Sequence, residues 1–102
     1  MIADEHISNL LLYINEHLDR ELSLDTLAAA FYMNKYHLCR TFKKVTGYTI
    51  NHYINYKRLL LAKELHNKGQ TLLEASTNAG FNSYAHFYRM YRKEFGTNPR
   101  AK

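Results

Sequence analysis

The chain has 102 residues, of which 46% are hydrophobic and 23% charged, and its formal net charge is +5. A chain of this length folds as one compact domain, or as two very small ones that share a helix, and has little room for an enclosed ligand cavity. The single cysteine, Cys39, excludes an intrachain disulfide and a thiolate-cluster zinc site. No apolar run reaches the roughly 18 to 20 residues that span a bilayer, and acids stand near the N-terminus where a secretory signal carries bases. We therefore expect a cytoplasmic protein that has no membrane partner.

The first predicted element is an amphipathic helix of about four turns near the N-terminus. Its apolar residues recur at the spacing that places them on one helix face. They are Ile7, Leu10, Leu11, Ile14 and Leu18. We expect this helix to cover the elements that follow.

Residues 23–47 are predicted to form a first helix-turn-helix. Ser23 is a good N-cap for its first helix, and Gly47 stands where the second helix needs a left-handed C-cap. In the second helix, at about 35–46, Leu38 and Phe42 are expected to face inward. A linker helix follows over residues 50–66, a stretch that contains neither Gly nor Pro. Its expected apolar contacts are Ile50, Tyr53, Ile54, Leu61 and Leu65.

Residues 71–96 are predicted to form a second helix-turn-helix. Thr71 and Glu74 make a capping box at its start, and Gly96 is the expected C-cap of its second helix, at about 83–95. Phe87 and Tyr91 are expected to face inward. No segment alternates with period two, so the predicted fold class is all-α with about seven helices.

The two helix-turn-helix segments are copies of one pattern. Residues 37–47 align with 86–96 at an offset of 49, through matching His, Arg, aromatic, paired basic and Gly positions. Upstream, Ser23 aligns with Thr71 at an offset of 48. This change of one residue predicts a longer turn in the second copy.

Basic residues are concentrated in two parts of the chain. Up to Asp25 there are six acids and one base, Arg20. From Thr26 to Lys63 there is no acid, whereas seven bases occur: Lys35, Arg40, Lys43, Lys44, Lys57, Arg58 and Lys63. A second group of bases, opposed only by Glu94, follows residue 84: Arg89, Arg92, Lys93, Arg100 and Lys102. Two separated basic groups indicate two places where a polyanion is bound.

The chain resembles the DNA-binding domain of the AraC/XylS family of bacterial transcription regulators. The second copy carries the clearest family motifs, which are Ala79-Gly80-Phe81, Phe87-Tyr88-Arg89, Tyr91-Arg92-Lys93 and Phe95-Gly96-Thr97-Asn98-Pro99. The first copy matches through Leu38, Arg40 and Phe42-Lys43-Lys44, and the linker through Arg58-Leu59. One departure is Ala75-Ser76, where the family usually carries isoleucine and alanine; the smaller volume suggests looser packing in the second copy.

The resemblance implies one DNA-binding domain over residues 1–102, with two homeodomain-like subdomains joined by the linker helix. Both second helices, at about 35–46 and 83–95, are then expected to enter successive major grooves and read a specific DNA sequence. The base-facing residues that the resemblance implies are Tyr36, Cys39, Arg40, Tyr84, Ala85, Tyr88 and Arg89. The implied phosphate contacts are Lys35, Lys43, Lys44, Ser83, Arg92 and Lys93. RNA polymerase, for an activator, and an N-terminal sensor or dimerisation domain are the other partners that the family implies.

Two other classes of function stay open on the residues alone. Basic helices also bind RNA, and a helical module with exposed side chains also docks proteins or a membrane surface. An enzyme is not expected, because there is no Gly-rich phosphate loop, nucleophile elbow or paired carboxylate. No cofactor or metal is expected either, since the six histidines lack metal-ligand spacing.

Overall fold

Six α-helices make up the regular structure of residues 2–100, the part of the chain that this computed structural model describes, and no strand occurs there. The helices are α1 (Ile2–Glu16), α2 (Leu24–Ala30), α3 (Lys35–Thr46), α4 (Ile50–Asn67), α5 (Leu72–Asn78) and α6 (Tyr84–Phe95). The predicted all-α class, with two helix-turn-helix pairs and a long helix between them, is confirmed. The count is six rather than about seven because residues 97–100 contain a bend and a turn but no helix. The last two residues, 101 and 102, lie outside the described part.

The chain divides after Ile54 into two compact units, so the division falls inside α4. In the first unit α3 contacts both α1 and α2. The predicted stripe on α1 is buried at Ile7, Leu10 and Ile14, whereas Leu18 is buried beyond the helix end. The inward positions Leu38 and Phe42 of α3 are confirmed, since both are almost wholly buried.

The second unit packs α5 and α6 around its own core. The core consists of Leu59, Ala62, Ala75, Ala79, Phe81, Phe87 and Tyr91. The inward positions of Phe87 and Tyr91 are therefore confirmed. On α4, the predicted contacts Ile50 and Ile54 are buried in the first unit. In the second unit, however, Leu59 and Ala62 are buried, and the predicted Leu61 and Leu65 pack only at the edge of this core. Apolar spacing along one helix does not settle which of its faces a neighbouring element covers.

The helix ends follow the local capping chemistry. The Ser23 hydroxyl accepts a hydrogen bond from the Thr26 N–H, which caps α2. The capping box at α5 is present in both directions: the Glu74 N–H donates to Thr71 Oγ1 over 3.1 Å, and the Thr71 N–H donates to Glu74 Oε1 over 2.9 Å. Gly47 and Gly96 end α3 and α6 in the left-handed region, with φ of 83° and 71°. These caps were all predicted and are confirmed.

The turn of the second helix-turn-helix is one residue longer than that of the first, as the change of offset predicted. Residues 31–34 join α2 to α3, whereas residues 79–83 join α5 to α6. Both turns start alike: the Met33 N–H donates to the Ala28 carbonyl, and the Phe81 N–H to the Ser76 carbonyl. The residue directly before the donor has a positive φ in each turn, 53° at Tyr32 and 107° at Gly80.

Candidate nucleic-acid interface

Helix α3 has one buried face and one basic, aromatic face. Tyr36 is 72% exposed, Arg40 is exposed, and Cys39 between them is half-buried. Because residues three and four positions apart are neighbours on a helix, these side chains share a face with Lys43. The helix therefore presents a mid-helix guanidinium and a phenol on the side away from Leu38 and Phe42, with the half-buried thiol of Cys39 at the edge of that face.

The last turn of α3 carries two exposed lysines, Lys43 and Lys44. A cation near a helix C-terminus is stabilised by the partial negative charge of the unpaired carbonyls there. The two ammonium groups are therefore compatible with the helix end and available to an external anion.

Lys35, at the start of α3, has an intramolecular partner that the sequence analysis did not identify. Its Nζ lies 3.2 Å from Asp25 Oδ1 of α2 and 6.0 Å from the centre of the Tyr36 ring. The hydrogen bond to Asp25 raises the pKa of Lys35 above its usual value. Lys35 is thus the one proposed phosphate ligand on α3 that the structure places in an ion pair.

Helix α6 repeats the arrangement with different side chains. Ala85 and Arg89 are exposed, Tyr88 is half-buried, and Arg92 and Lys93 are exposed in the last turn. Arg89 therefore occupies on α6 the place that Arg40 occupies on α3.

Tyr84 is a proposed base-facing residue that packs partly into the fold. It is half-buried and packs against the second core, with its ring centre 5.8 Å from that of Phe87 and 6.2 Å from that of Tyr88. The outward orientation expected for this side chain is therefore only partial. Packing against Phe87 competes with exposure because it removes aromatic surface from water.

Ser83, a proposed phosphate ligand, is the N-cap of α6. Its Oγ accepts a hydrogen bond from the His86 N–H over 3.2 Å. A hydroxyl that accepts through a lone pair still has its hydrogen to donate. Capping and phosphate binding are therefore compatible at this residue.

The caps that position α3 and α4 were missed in the sequence. Asn34 Oδ1 accepts from the N–H groups of Tyr36 and His37, and Thr49 Oγ1 accepts from the His52 N–H at the start of α4. His37 and His86 donate their backbone N–H groups at equivalent places in the two copies. An Asn or Thr directly before a helical stretch is the signal that would have identified both caps.

Arg58 of α4 is half-buried and burial lowers its pKa, but a guanidinium stays protonated at neutral pH. Residues 2–100 contain no cluster of three His, Cys, Asp or Glu side chains suited to a metal ion. Within the same range, no helix combines the length and apolar character needed to cross a bilayer.

Comparison with known proteins agrees with this geometry. Residues 27–101 match the model of a family of helix-turn-helix domains. The chain is similar to the regulatory protein SoxS of Salmonella typhimurium, at 35% identity over 100 residues that cover 97% of this chain and 94% of SoxS. It is also similar to the DNA-binding domain of the global transcriptional factor AdpA, crystallised with a target DNA, at 26% identity and a TM-score of 0.86, over 91% of this chain and 85% of that one. An AraC-type regulator from Chromobacterium violaceum, at 24% identity, shares the fold over 95% of this chain and 88% of its own, with a TM-score of 0.86. The chain therefore belongs to the AraC-type helix-turn-helix family of DNA-binding transcription regulators.

Proposed function

We propose that this chain binds a specific sequence of double-stranded DNA and regulates transcription from it, with α3 and α6 as the two recognition helices. The observation that carries the proposal is that the two helices have the same arrangement of caps and exposed basic side chains. Each begins at a side-chain cap, ends at a left-handed glycine, and has an exposed arginine in mid-helix and two exposed basic side chains in its last turn. The likeness to SoxS, a regulatory protein, and to a domain crystallised with its target DNA supports the same function.

The side chains divide by chemistry into those suited to bases and those suited to phosphates. A guanidinium makes two hydrogen bonds to the major-groove edge of guanine, so Arg40 and Arg89 are assigned to base recognition. Their neighbours on the same faces complete the assignment: Tyr36 and Cys39 on α3, and Ala85, Tyr88 and the exposed edge of Tyr84 on α6. Five other basic side chains and one hydroxyl are assigned to phosphates: Lys35, Lys43, Lys44, Ser83, Arg92 and Lys93.

Selection of bound duplexes from a random library, repeated at low and moderate salt, tests the proposal. We expect two short enriched boxes whose centres are about one helical turn, or roughly 34 Å, apart. A single box would mean that one unit binds the backbone without reading bases. No enrichment over random duplex would overturn the proposal in favour of RNA binding or protein docking, which the same protein would then be tested for with single-stranded RNA and by pull-down.

Two further partners are proposed on the strength of the family. As an activator, the chain would contact RNA polymerase when bound beside a promoter, and in a longer protein an N-terminal sensor or dimerisation domain would control it. Run-off transcription from a template that carries the selected boxes tests the first: added protein should raise the yield of transcript. A fall in yield would instead identify a repressor that needs no polymerase contact.

A further inference from the structure

An ion pair between Asp25 and Lys35 connects α2 and α3 in the first unit. Asp25 lies in the first turn of α2 and Lys35 in the first turn of α3. The Asp25 side chain is 83% exposed and that of Lys35 is 42% exposed. Asp25 is also the last acid before the acid-free stretch from Thr26 to Lys63, and Lys35 is the first base within it. The pair therefore joins the end of the acidic segment to the start of the basic one.

Asp25 is not needed to cap α2. The N-cap role belongs to Ser23, whose Oγ accepts from the Thr26 N–H over 3.1 Å and lies 2.7 Å from the Thr26 hydroxyl. In the second copy the place of Asp25 is taken by Leu73, and the acid of that turn, Glu74, faces the cap at Thr71. The carboxylate that reaches across to the recognition helix is thus peculiar to the first unit.

We propose that Asp25 competes with DNA phosphate for Lys35 and thereby lowers the affinity of the first unit for duplex DNA of every sequence. This inference rests on the proposed function. A lysine ammonium is a single charge with three donors, so a carboxylate 3.2 Å away neutralises much of the attraction that a phosphate would feel. That carboxylate would also repel the phosphate itself. Because exposed ion pairs are weak, the competition reduces binding without abolishing it.

The test compares Asp25→Asn with Glu21→Gln, a variant that removes the same charge at an exposed position outside the helices. Dissociation constants are measured on the selected site and on random duplex at about 50 and 200 mM salt, the range over which phosphate contacts show clearly. We expect Asp25→Asn to tighten binding to both duplexes roughly 2- to 5-fold, as the loss of a weak exposed pair allows. It should also steepen the salt dependence, whereas Glu21→Gln should change affinity less.

A double variant separates competition for Lys35 from a general gain in positive charge. In a Lys35→Ala background, the effect of Asp25→Asn should shrink to that of Glu21→Gln, because the group for which Asp25 competes is gone. A gain that persists without Lys35, or an Asp25→Asn protein that binds no tighter than the unaltered chain, would overturn the inference. Failure of the unaltered chain to bind duplex at all would instead count against the proposed function.

Folding is controlled independently, because an acid in the first turn of a helix also stabilises that helix. Circular dichroism melting of Asp25→Asn shows whether the variant is folded at the assay temperature. If it is not, the losses of affinity caused by Lys35→Ala and by Lys44→Ala are compared instead. A smaller loss of affinity for Lys35→Ala supports an already engaged lysine, and an equal loss contradicts it.

Discussion

Among residues 2–100, Tyr32 is the one residue other than glycine with a positive φ, and the residue is 98% exposed. The left-handed conformation costs a residue with a Cβ roughly 1–2 kcal/mol, whereas glycine adopts it freely but loses more chain entropy on folding. We expect Tyr32→Gly to stabilise the chain by about 0.5–1 kcal/mol in urea unfolding. The reciprocal change, Gly80→Ala at the matching turn position, should destabilise it by about 1 kcal/mol or more. A loss of stability in Tyr32→Gly would show that the tyrosine makes a contact that compensates its backbone strain.

The roles proposed for single side chains on α3 and α6 differ in what they do to specificity. Arg40→Ala and Arg89→Ala should each cost about 1–3 kcal/mol on the selected site and relax the base preference at one sub-site. Lys43→Ala and Lys44→Ala should weaken binding to every sequence alike, because phosphates are the same along the duplex. Competition binding with single-base variants of each box distinguishes the two patterns. Equal losses on specific and random duplex for all four variants would contradict the assignment.

At the scale of elements, we expect the capping box at the start of α5 to stabilise the fold in a pH-dependent way. The backbone hydrogen bond from Thr71 lowers the pKa of Glu74 below its usual value of 4.5. A carboxyl whose pKa is lower in the folded state adds stability above the unfolded-state pKa and loses that contribution as pH falls through the folded-state pKa. Glu74→Gln keeps an acceptor oxygen but has no charge. The unaltered chain should therefore exceed Glu74→Gln in free energy of unfolding by more at pH 7 than at pH 3. Urea unfolding at a series of pH values measures the difference, and a gap that does not change with pH would contradict the ionised capping box.

At the scale of the whole molecule, binding should be governed by two basic helices that act on a polyanion. Each phosphate neutralised releases counterions, so log affinity falls with log salt at a slope of about −0.9 per contact. With roughly six contacts shared between α3 and α6, we expect a total slope near −5, measured by fluorescence anisotropy with a labelled duplex. Arg92→Ala should make the slope shallower by about one contact. A slope near −2 would mean that only one helix engages the backbone.

The sequence by itself determined the class of fold, the existence of two copies and four caps, those at Ser23, Gly47, Thr71 and Gly96. Ser23, Thr71 with Glu74, Gly47 and Gly96 act on backbone groups within four residues of themselves, so their roles depend on the local chain alone. The turn that is longer by one residue followed from the offsets of 48 and 49 for the same reason. The inward positions of α3 and α6 were equally predictable from the sequence, because each of these helices is amphipathic and buries one face.

Only the tertiary structure decided which side chains meet across elements. Asp25 and Lys35 are ten residues apart on different helices, and their 3.2 Å contact depends on how α2 packs on α3. Tyr84 was expected to face outward, yet it is half-buried because it packs against the core of the second unit. On the part of α4 that belongs to the second unit, packing buries Leu59 and Ala62 and leaves Leu61 and Leu65 partly exposed. Helical spacing specifies the faces of a helix, whereas burial of a given face depends on elements that are distant in sequence and that local propensity does not describe.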